Sequence, residues 1–203
     1  VHGGLLMRRD VGAHVEAARA HGIEPIDLVV VNLYPFEDAA GRPGAAREDV
    51  VEMIDIGGPS MVRSAAKNHA FVAVVTDPRD YGTLAAALES QDGATTLTER
   101  RRWAATAFAH TSAYDAAIAG WMSGGEFLPP VLNVSFAKKE DLRYGENPHQ
   151  RAAVYVEHRH VRPTVAHAKM WSGKALAFIN YLDAVAAWAC VTPFGDPACA
   201  IMK

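Results

Sequence analysis

Two short apolar runs, each followed by turn residues and a helix-like pattern, constrain this chain more than any other feature. Residues 27–34 read DLVVVNLY and residues 71–76 read FVAVVT. Short, nearly continuous runs rich in β-branched residues are typical of strands that are covered on both faces. Because strands alternate with helices, we predict an α/β fold with a mostly parallel sheet.

Helix signals lie between and after these strands. A helix is predicted to begin at Pro59, because proline lacks the N–H that has no partner at the first helical position. Thr96 and Glu99 form a capping-box pattern, which predicts a long helix running toward Gly120. The helix after Pro59 is expected to face a core with four residues: Met61, Val62, Ala65 and Ala66.

The composition changes near residues 120–130, where paired glycines and paired prolines predict a linker. Beyond the linker we expect a helix over residues 180–191. Three strands are also expected there, at residues 131–136, 152–156 and 198–202. This organisation favours one domain followed by part of another.

Composition and charge exclude several classes of partner. Half of the 203 residues are apolar, and 20 lysines and arginines nearly balance 23 aspartates and glutamates. A balanced charge points to no nucleic acid and no anionic membrane, although a small anionic ligand stays open. No apolar run approaches the roughly 18 residues that span a bilayer. We expect a cytoplasmic protein.

The cysteine and histidine patterns favour no metal site. Cys190 and Cys199 lie in one stretch without a C-x-x-C pair, which signals neither a disulfide framework nor zinc and fits a reducing cytosol. His69, His110 and His149 are too far apart for a metal-ligand pattern. We therefore predict no metal.

The two ends of the sequence lack the usual terminal features. The chain opens with VHGG and no methionine, and Lys203 follows directly behind an apolar run. Natural termini usually consist of frayed polar residues. We therefore expect an internal segment of a longer protein, in which any active site lacks parts.

The strongest local signal for a binding site is DIGGPS at residues 55–60. Two glycines before a helix leave main-chain N–H groups open to an anionic ligand. The same pattern also fits a tight turn whose glycines serve only the backbone geometry. Asp55 and Lys67 add a carboxylate and an ammonium, but each is also an ordinary surface charge, and spacing does not show that they meet.

Two other segments carry polar side chains at positions suited to a ligand. Asn32 and Tyr34 alternate at the C-terminal end of a predicted strand, where open α/β sheets form their ligand crevice. A loop cap and a packed tyrosine explain the same residues. Arg143, within LRYGENPHQ at residues 142–150, offers a planar fork for phosphate, although a structural turn is the alternative. The charged run at residues 99–102 is interpreted as a solvated helix face.

Six sequence blocks in a fixed order resemble one enzyme family. They are VHGGLL (1–6), DLVVVNLYPF (27–36), IDIGGPSMVRSAAKNH (54–69), VTDP (75–78), LRYGENPHQ (142–150) and GKAL (173–176). The chain is similar to the bifunctional aminoimidazole carboxamide ribotide (AICAR) transformylases and inosine monophosphate (IMP) cyclohydrolases of purine biosynthesis. Six ordered blocks are much more specific than any single motif.

The resemblance implies a two-domain enzyme. Residues 1–122 would form a methylglyoxal-synthase-like cyclohydrolase domain that lacks its N-terminal part, including phosphate loops and a further catalytic lysine. Residues 123–132 would be a linker, and residues 133–203 the beginning of a cytidine-deaminase-like transformylase domain. The implied protein is a homodimer that binds AICAR, formyl-AICAR and IMP and uses formyl tetrahydrofolate as co-substrate.

The resemblance also implies roles in ring closure, which requires a proton transfer and a held oxyanion. Lys67 would transfer the proton. Asp55 would be its carboxylate partner near the amide, and Tyr34 would donate a hydrogen bond near the formyl group. The base would be held by four residues: Asn32, Ile56, Gly57 and Gly58.

In the second domain, Arg143 and Tyr144 match residues that bind the ribotide substrate. Lys203 matches the lysine that precedes the family's catalytic histidine, and the sequence stops before that histidine. Formyl transfer needs a base there, so this segment alone is expected to be inactive in that step. Residues 177–185 follow the family pattern only loosely.

Two alternatives to this function stay open. A methylglyoxal-synthase-like phosphate lyase shares the fold of the first domain, but the LRYGENPHQ block argues against it. A non-catalytic nucleotide-sensing module of the same fold is the other alternative. Because a sensor needs no proton shuttle, the set of Asp55, Lys67 and Tyr34 argues against it.

Overall fold

The computed structural model of the chain describes residues 1–158 and 163–202. Lys203, which is predicted to be catalytic, lies outside the described residues. The chain divides into two compact units, Val1–Val134 and Ser135–Lys203.

The described part of the first unit consists of seven helices and two strands. The helices are α1 (His2–Leu6), α2 (Gly12–Ala20), α3 (Phe36–Ala40), α4 (Arg47–Glu52), α5 (Gly57–Lys67), α6 (Tyr81–Ser90) and α7 (Leu97–Met122). The strands are β1 (Leu28–Val30) and β2 (Ala73–Val75), and a 3₁₀ turn at Pro78–Asp80 leads into α6.

The strands β1 and β2 pair in parallel, with Leu28 opposite Ala73 and Val30 opposite Val75. An α/β fold with a parallel sheet is therefore confirmed. β2 is buried along its whole length. β1 is not covered on both faces as predicted, because Leu28 and Val30 are 36% and 45% exposed. Side chains alternate along a strand, and of this strand only Val29 belongs to the core.

The main core of this unit forms where α5 and α7 pack on β2. Val62, Ala65 and Ala66 of α5 are fully buried, and Met61 packs against them. The predicted core face of α5 is thus confirmed. Burial of such side chains contributes roughly 1.5–3 kcal/mol for each large aliphatic group. The remaining fully buried members of the cluster are Leu5, Val72, Val74 and Ala107.

The first residues of α5 and α7 can be compared with the helix starts predicted from the sequence. α5 begins at Gly57, two residues before the predicted start, so the helix is confirmed and Pro59 is its third residue. Proline fits there because no N–H group of the first helical turn has a helical partner. The capping box of α7 is confirmed: the N–H of Glu99 donates to Thr96 Oγ1 at 3.2 Å, and the N–H of Thr96 donates to Glu99 Oε2 at 2.7 Å.

The charged run at residues 99–102 is not simply a solvated helix face. Arg100 donates to the carbonyl oxygens of His69 at 2.9 Å and Ala70 at 3.0 Å, and also to the carbonyl oxygen of Thr95. Its planar guanidinium presents several N–H groups in a fixed fork, which suits three acceptors at once. Arg100 therefore ties the start of α7 to the connection between α5 and β2.

The second unit contains an antiparallel strand pair and a helix among its described residues. Its elements are β3 (Phe136–Asp141), β4 (Ala153–Glu157), a 3₁₀ turn at Val165–His167 and α8 (Phe178–Val191). The predicted strand at residues 152–156 and the predicted helix at residues 180–191 are confirmed.

Two predicted strands of the second unit are wrong. Pairing begins only at Phe136, after the run at residues 131–135, and no strand includes residues 198–202. An apolar run becomes a strand only where a neighbouring strand takes up its N–H and C=O groups.

The helix α8 contains no buried residue. Phe178, Leu182 and Val185 are 41%, 51% and 51% exposed. Among the described residues, no helix combines the length and the apolar character that crossing a membrane requires.

Candidate functional site

The candidate site of the first unit begins where β1 ends. Asn32 and Tyr34 follow this strand, as the sequence predicts, and Tyr34 is 55% exposed. The hydroxyl of Tyr81, the first residue of α6, donates to Asn32 Oδ1 at 3.0 Å. With Oδ1 occupied, Asn32 presents its Nδ2 group as a hydrogen-bond donor.

The DIGGPS loop is built around the side chain of Asp55. Asp55 Oδ1 accepts a hydrogen bond from the N–H of Gly58 at 2.7 Å. A Cβ atom placed at Gly58 would lie 2.5 Å from Asp55 Oδ2 and 2.8 Å from Leu33 Cδ2. Gly58 therefore packs directly against the segment that carries Asn32 and Tyr34. The structure brings the loop and the strand end together.

Tyr114 of α7 holds the same loop from the protein interior. The N–H of Asp55 donates to the Tyr114 hydroxyl at 2.7 Å, and that hydroxyl donates to the carbonyl oxygen of Met53 at 3.0 Å. Burial raises the pKa of Tyr114 above its usual value, so the hydroxyl keeps its proton near neutral pH. Tyr114 was not among the residues predicted from the sequence. The buried residues Ala104, Ala107 and Thr111 of α7 recur at helical spacing and signal this face.

Ile56 and Gly57 form the exposed part of the loop. The side chain of Ile56 is 78% exposed, and a Cβ at Gly57 would meet nothing within 4 Å. The N-cap residue Ile56 makes no side-chain hydrogen bond to the start of α5, and the Asp55 carboxylate takes up the N–H of Gly58. Main-chain N–H groups at a helix start that lack a cap are suited to a polar or anionic ligand, which agrees with the predicted binding role of these two residues.

Lys67 lies at the opposite end of α5 from Asp55. The ten steps from Gly57 to Lys67 correspond to roughly 15 Å along the helix axis. Within the described ranges, no ion pair joins Lys67 to Asp55. The structure thus brings the Asp55–Gly58 loop next to Leu33, between Asn32 and Tyr34 in the sequence, and leaves Lys67 exposed at the far end of α5.

His2 of α1 lies against that polar stripe of α5. Its Nδ1 atom is 3.2 Å from Ser64 Oγ, and its Nε2 atom is 3.4 Å from Ser60 Oγ. Ser60, Ser64 and Lys67 follow at spacings of four and three residues, so they share one face of the helix. His2 belongs to the VHGGLL block, and its contact with α5 was not predicted from the sequence.

The second candidate segment is the turn at residues 142–150. The N–H of Gly145 donates to the Gln150 carbonyl at 2.8 Å, and the N–H of Gln150 donates to the Asn147 carbonyl at 3.0 Å. The N–H of Asn147 donates to Gln150 Oε1 at 2.9 Å. A closed network of this kind fixes the turn and therefore the residues that precede it.

Arg143 and Tyr144 are held by the segment that contains GKAL. The N–H of Arg143 donates to the Leu176 carbonyl at 3.1 Å, and the N–H of Phe178 donates to the Tyr144 carbonyl at 3.1 Å. The exposed guanidinium of Arg143 lies 5.3 Å from the centre of the Tyr144 ring. The two sequence blocks thus form one structure, with a cation and an aromatic ring side by side.

A cavity of about 380 Å³ opens at the other end of the parallel strand pair, beside Asp27 and Phe71. Its two arginines are already engaged. Arg9 pairs with Asp27 at 2.6 Å, and Arg100 donates to three carbonyl oxygens. Both guanidinium groups therefore hold neighbouring protein groups, while the buried Nε of Arg9 has no hydrogen-bond partner among the described residues.

Among the described residues, no three histidine, cysteine or acidic side chains are grouped so as to hold a metal ion. Cys190 and Cys199 are exposed free thiols.

The chain is similar in sequence to curated proteins that are longer than the chain itself. The bifunctional purine biosynthesis protein PurH of Cereibacter sphaeroides is 53% identical over 208 aligned residues, which cover all of this chain and 39% of that protein. PurH of Listeria innocua is 49% identical over 205 residues, which cover all of this chain and 40% of that protein. The chain thus spans about two fifths of the length of these curated relatives.

A solved structure and a family model agree with these relatives. The crystal structure of ForH aligns with a TM-score of 0.52 and 34% identity, over 62% of this chain and 64% of that one. The model of the AICARFT/IMPCHase bienzyme family matches residues 65–203. Since this match covers more than half of the chain, the chain belongs to the AICARFT/IMPCHase bienzyme family.

Proposed function

We propose that the protein containing this chain performs the last two steps of de novo purine biosynthesis. In the first step, a formyl group passes from formyl tetrahydrofolate to AICAR. In the second step, formyl-AICAR closes its ring, loses water and becomes IMP. Family membership supports the proposal. The observation that carries it is the contact of the Asp55–Gly58 loop with the strand end that bears Asn32 and Tyr34.

Ring closure joins the carboxamide nitrogen of the substrate to its formyl carbon. The carboxamide nitrogen gives up one proton, and the formyl oxygen gains one and becomes a hydroxyl. This hydroxyl then takes up a second proton and leaves as water, while the former formylamino nitrogen releases its own proton and forms a C=N bond to the same carbon. An amide nitrogen is a poor nucleophile, so the step needs a group that accepts the N–H and groups that stabilise charge on the oxygen.

Asp55 is assigned the contact with the carboxamide. Its Oδ1 is bound to the N–H of Gly58, which fixes the plane of the carboxylate, while Oδ2 accepts no hydrogen bond from the described residues. A fixed acceptor of this kind orients the amide nitrogen for attack. Asn32 Nδ2 and the main chain at Ile56, Gly57 and Gly58 are assigned to the base.

Tyr34 and Lys67 are assigned to the oxygen and to the proton transfer. Tyr34 is exposed and directly follows Leu33, whose side chain lies near Gly58, and its hydroxyl is assigned to donate to the developing oxyanion. Lys67 is exposed at the end of α5, roughly 15 Å along the helix axis from Gly57, and is assigned to the proton transfer. With Asp55 and Lys67 at separate points, the substrate lies between them.

Formyl transfer is assigned to the second unit. Arg143 and Tyr144 are proposed to bind the ribotide, since a guanidinium pairs with phosphate and a neighbouring ring supplies a flat apolar face. Lys203 is proposed to belong to the catalytic set of this step. In this assignment residues 1–122 are the methylglyoxal-synthase-like cyclohydrolase domain, residues 123–132 the linker and residues 133–203 part of the cytidine-deaminase-like transformylase domain of a cytoplasmic homodimer.

The test compares ring closure by the full-length protein with that of its Lys67→Ala form. Formyl-AICAR is added, and the change in absorbance on formation of the purine ring is followed. Loss of a proton-transfer group is expected to lower kcat by about 10²–10⁴-fold. Lys138→Ala is the control, because Lys138 only pairs with Asp141 on the surface, where ion pairs contribute little.

Other outcomes would favour the alternatives. Binding of formyl-AICAR and IMP without ring closure by either protein would contradict the proposal and favour a nucleotide-sensing module. Release of inorganic phosphate from small phosphorylated substrates, again without ring closure, would favour a phosphate lyase. Equal ring-closure activity of the parent and Lys67→Ala would support the proposed function but contradict the assignment of Lys67 to the proton transfer.

A further inference from the structure

Tyr114 contacts the candidate cyclohydrolase site at two main-chain groups of one loop. We infer that Tyr114 is a positioning residue for ring closure, because its hydroxyl fixes the loop that aims the Asp55 carboxylate at the substrate. This inference rests on the proposed cyclohydrolase function and adds a residue to it. Tyr114 itself does not contact the reacting atoms.

The hydroxyl of Tyr114 acts as acceptor and donor at the same time. It accepts from the N–H of Asp55 at 2.7 Å and donates to the carbonyl of Met53 at 3.0 Å. Both groups are partly buried and lie two residues apart, and each is paired with the Tyr114 hydroxyl. A tyrosine hydroxyl carries one donor and two acceptor sites and therefore satisfies both.

The Asp55 side chain depends on this main-chain anchor. The same residue that donates its N–H to Tyr114 accepts the N–H of Gly58 through Oδ1. Tyr114 thus fixes the main chain of Asp55, and Gly58 fixes its carboxylate. Displacement of a catalytic group by about 1 Å costs on the order of 10²-fold in rate, so a small shift of this loop is expected to matter.

The ring of Tyr114 also reaches the other half of the site. It packs edge-on against Phe36, with ring centres 6.2 Å apart and planes at 70°. Phe36 is 1% exposed, and its N–H donates to the Tyr34 carbonyl at 2.8 Å. Trp121 of α7 supports Phe36 from another side at 5.8 Å. One helix, α7, therefore sets the spacing between Asp55 and Tyr34.

Substitution of Tyr114 by phenylalanine separates the contribution of the hydroxyl from that of the aromatic ring. Tyr114→Phe keeps the ring and its contact with Phe36 but leaves the Asp55 N–H and the Met53 carbonyl without their partner. Leaving these partly buried groups unpaired is unfavourable, and the loop relieves this by moving toward solvent. The carboxylate moves with it, while the nucleotide keeps most of its binding groups.

The experiment measures both activities and the unfolding temperature of the full-length protein and its Tyr114→Phe form. We expect kcat of ring closure to fall about tenfold to a hundredfold, with KM for formyl-AICAR changed by less than about threefold. Formyl transfer is expected to stay within about twofold of the parent. Tyr155→Phe, which removes a hydroxyl from a residue that is 57% exposed, is the control.

Each outcome decides the inference. Ring closure within about twofold of the parent would overturn it. Equal losses of both activities together with a lower unfolding temperature would also overturn it, because Tyr114 would then serve only folding. Absence of ring closure in the parent would instead refute the proposed function, and the inference with it.

Discussion

Gly58 donates its N–H to the Asp55 carboxylate and leaves no room for a side chain between that carboxylate and Leu33. We predict that Gly58→Ala lowers kcat of ring closure by about 10²-fold, because the new methyl group displaces Asp55. Overpacking of this kind also destabilises by roughly 1–3 kcal/mol. The measurements are the absorbance assay for ring closure and thermal unfolding.

The control for this substitution is Gly120→Ala. A Cβ at Gly120 in α7 meets nothing within 4 Å, so the substitution is expected to be neutral or to stabilise the helix by up to about 1 kcal/mol. Unchanged ring closure in Gly58→Ala would show that Asp55 is not fixed by this contact.

Tyr81 orients the amide of Asn32 by donating to its Oδ1 atom. Without the hydroxyl, the amide rotates and loses its fixed donor direction toward the base. We predict that Tyr81→Phe raises KM for formyl-AICAR about threefold to tenfold and changes kcat by less than about twofold. Steady-state kinetics check this. A fall in kcat at constant KM would instead place Tyr81 among the groups that act on the transition state.

Arg100 stabilises the first unit through three carbonyl oxygens. Lysine keeps the charge but lacks the planar fork, so Arg100→Lys is expected to lower the free energy of unfolding by about 1–3 kcal/mol. Urea unfolding measures this change. Arg101→Lys on the exposed neighbouring position is the control, and equal stability of the two variants would contradict the bracing role of Arg100.

We predict that the Tyr181 hydroxyl makes the second unit less stable as the pH rises through the alkaline range. Burial, followed by the hydrogen bond to Glu140, raises its pKa from 10.0 to about 12, and its hydroxyl donates to Glu140 Oε1 at 2.6 Å. Between these two pH values the folded state keeps a proton that the unfolded state has lost. The stabilisation is therefore complete below pH 10 and disappears as the pH rises through 12.

Unfolding across this pH range tests Tyr181. The parent is expected to lose stability more steeply between pH 10 and pH 12 than Tyr181→Phe does, because the variant lacks the titrating group. Tyr155→Phe should follow the parent. Parallel curves for the parent and Tyr181→Phe would contradict the prediction.

Features encoded within a few neighbouring residues were predictable from the sequence. The capping box of Thr96 and Glu99 and the buried face of α5 at Val62 and Ala65 agree with the structure. Both depend on local hydrogen bonds or on helical spacing. The parallel pairing of β1 and β2 followed from alternation of strands and helices.

Strand lengths and strand coverage were not predictable in the same way. The run at residues 27–34 yields a strand only at Leu28–Val30, and the run at residues 131–136 contributes only Phe136. Whether an apolar segment is a strand depends on a partner that is distant in the sequence, and the segment itself carries no mark of that partner.

The same distinction between local and long-range features applies to the candidate site. Its chemical groups, Asp55, Asn32 and Tyr34, stand out in the sequence because their residue types suit polar recognition at strand ends and glycine turns. Tyr114 does not, since its hydroxyl meets Asp55 across 59 positions of the chain. That contact exists only because α7 packs beside α5 and turns one tyrosine toward the loop. The chemical groups of the site can be recognised from neighbouring residues in the sequence, whereas the geometry that positions these groups depends on packing between residues that are distant in the sequence.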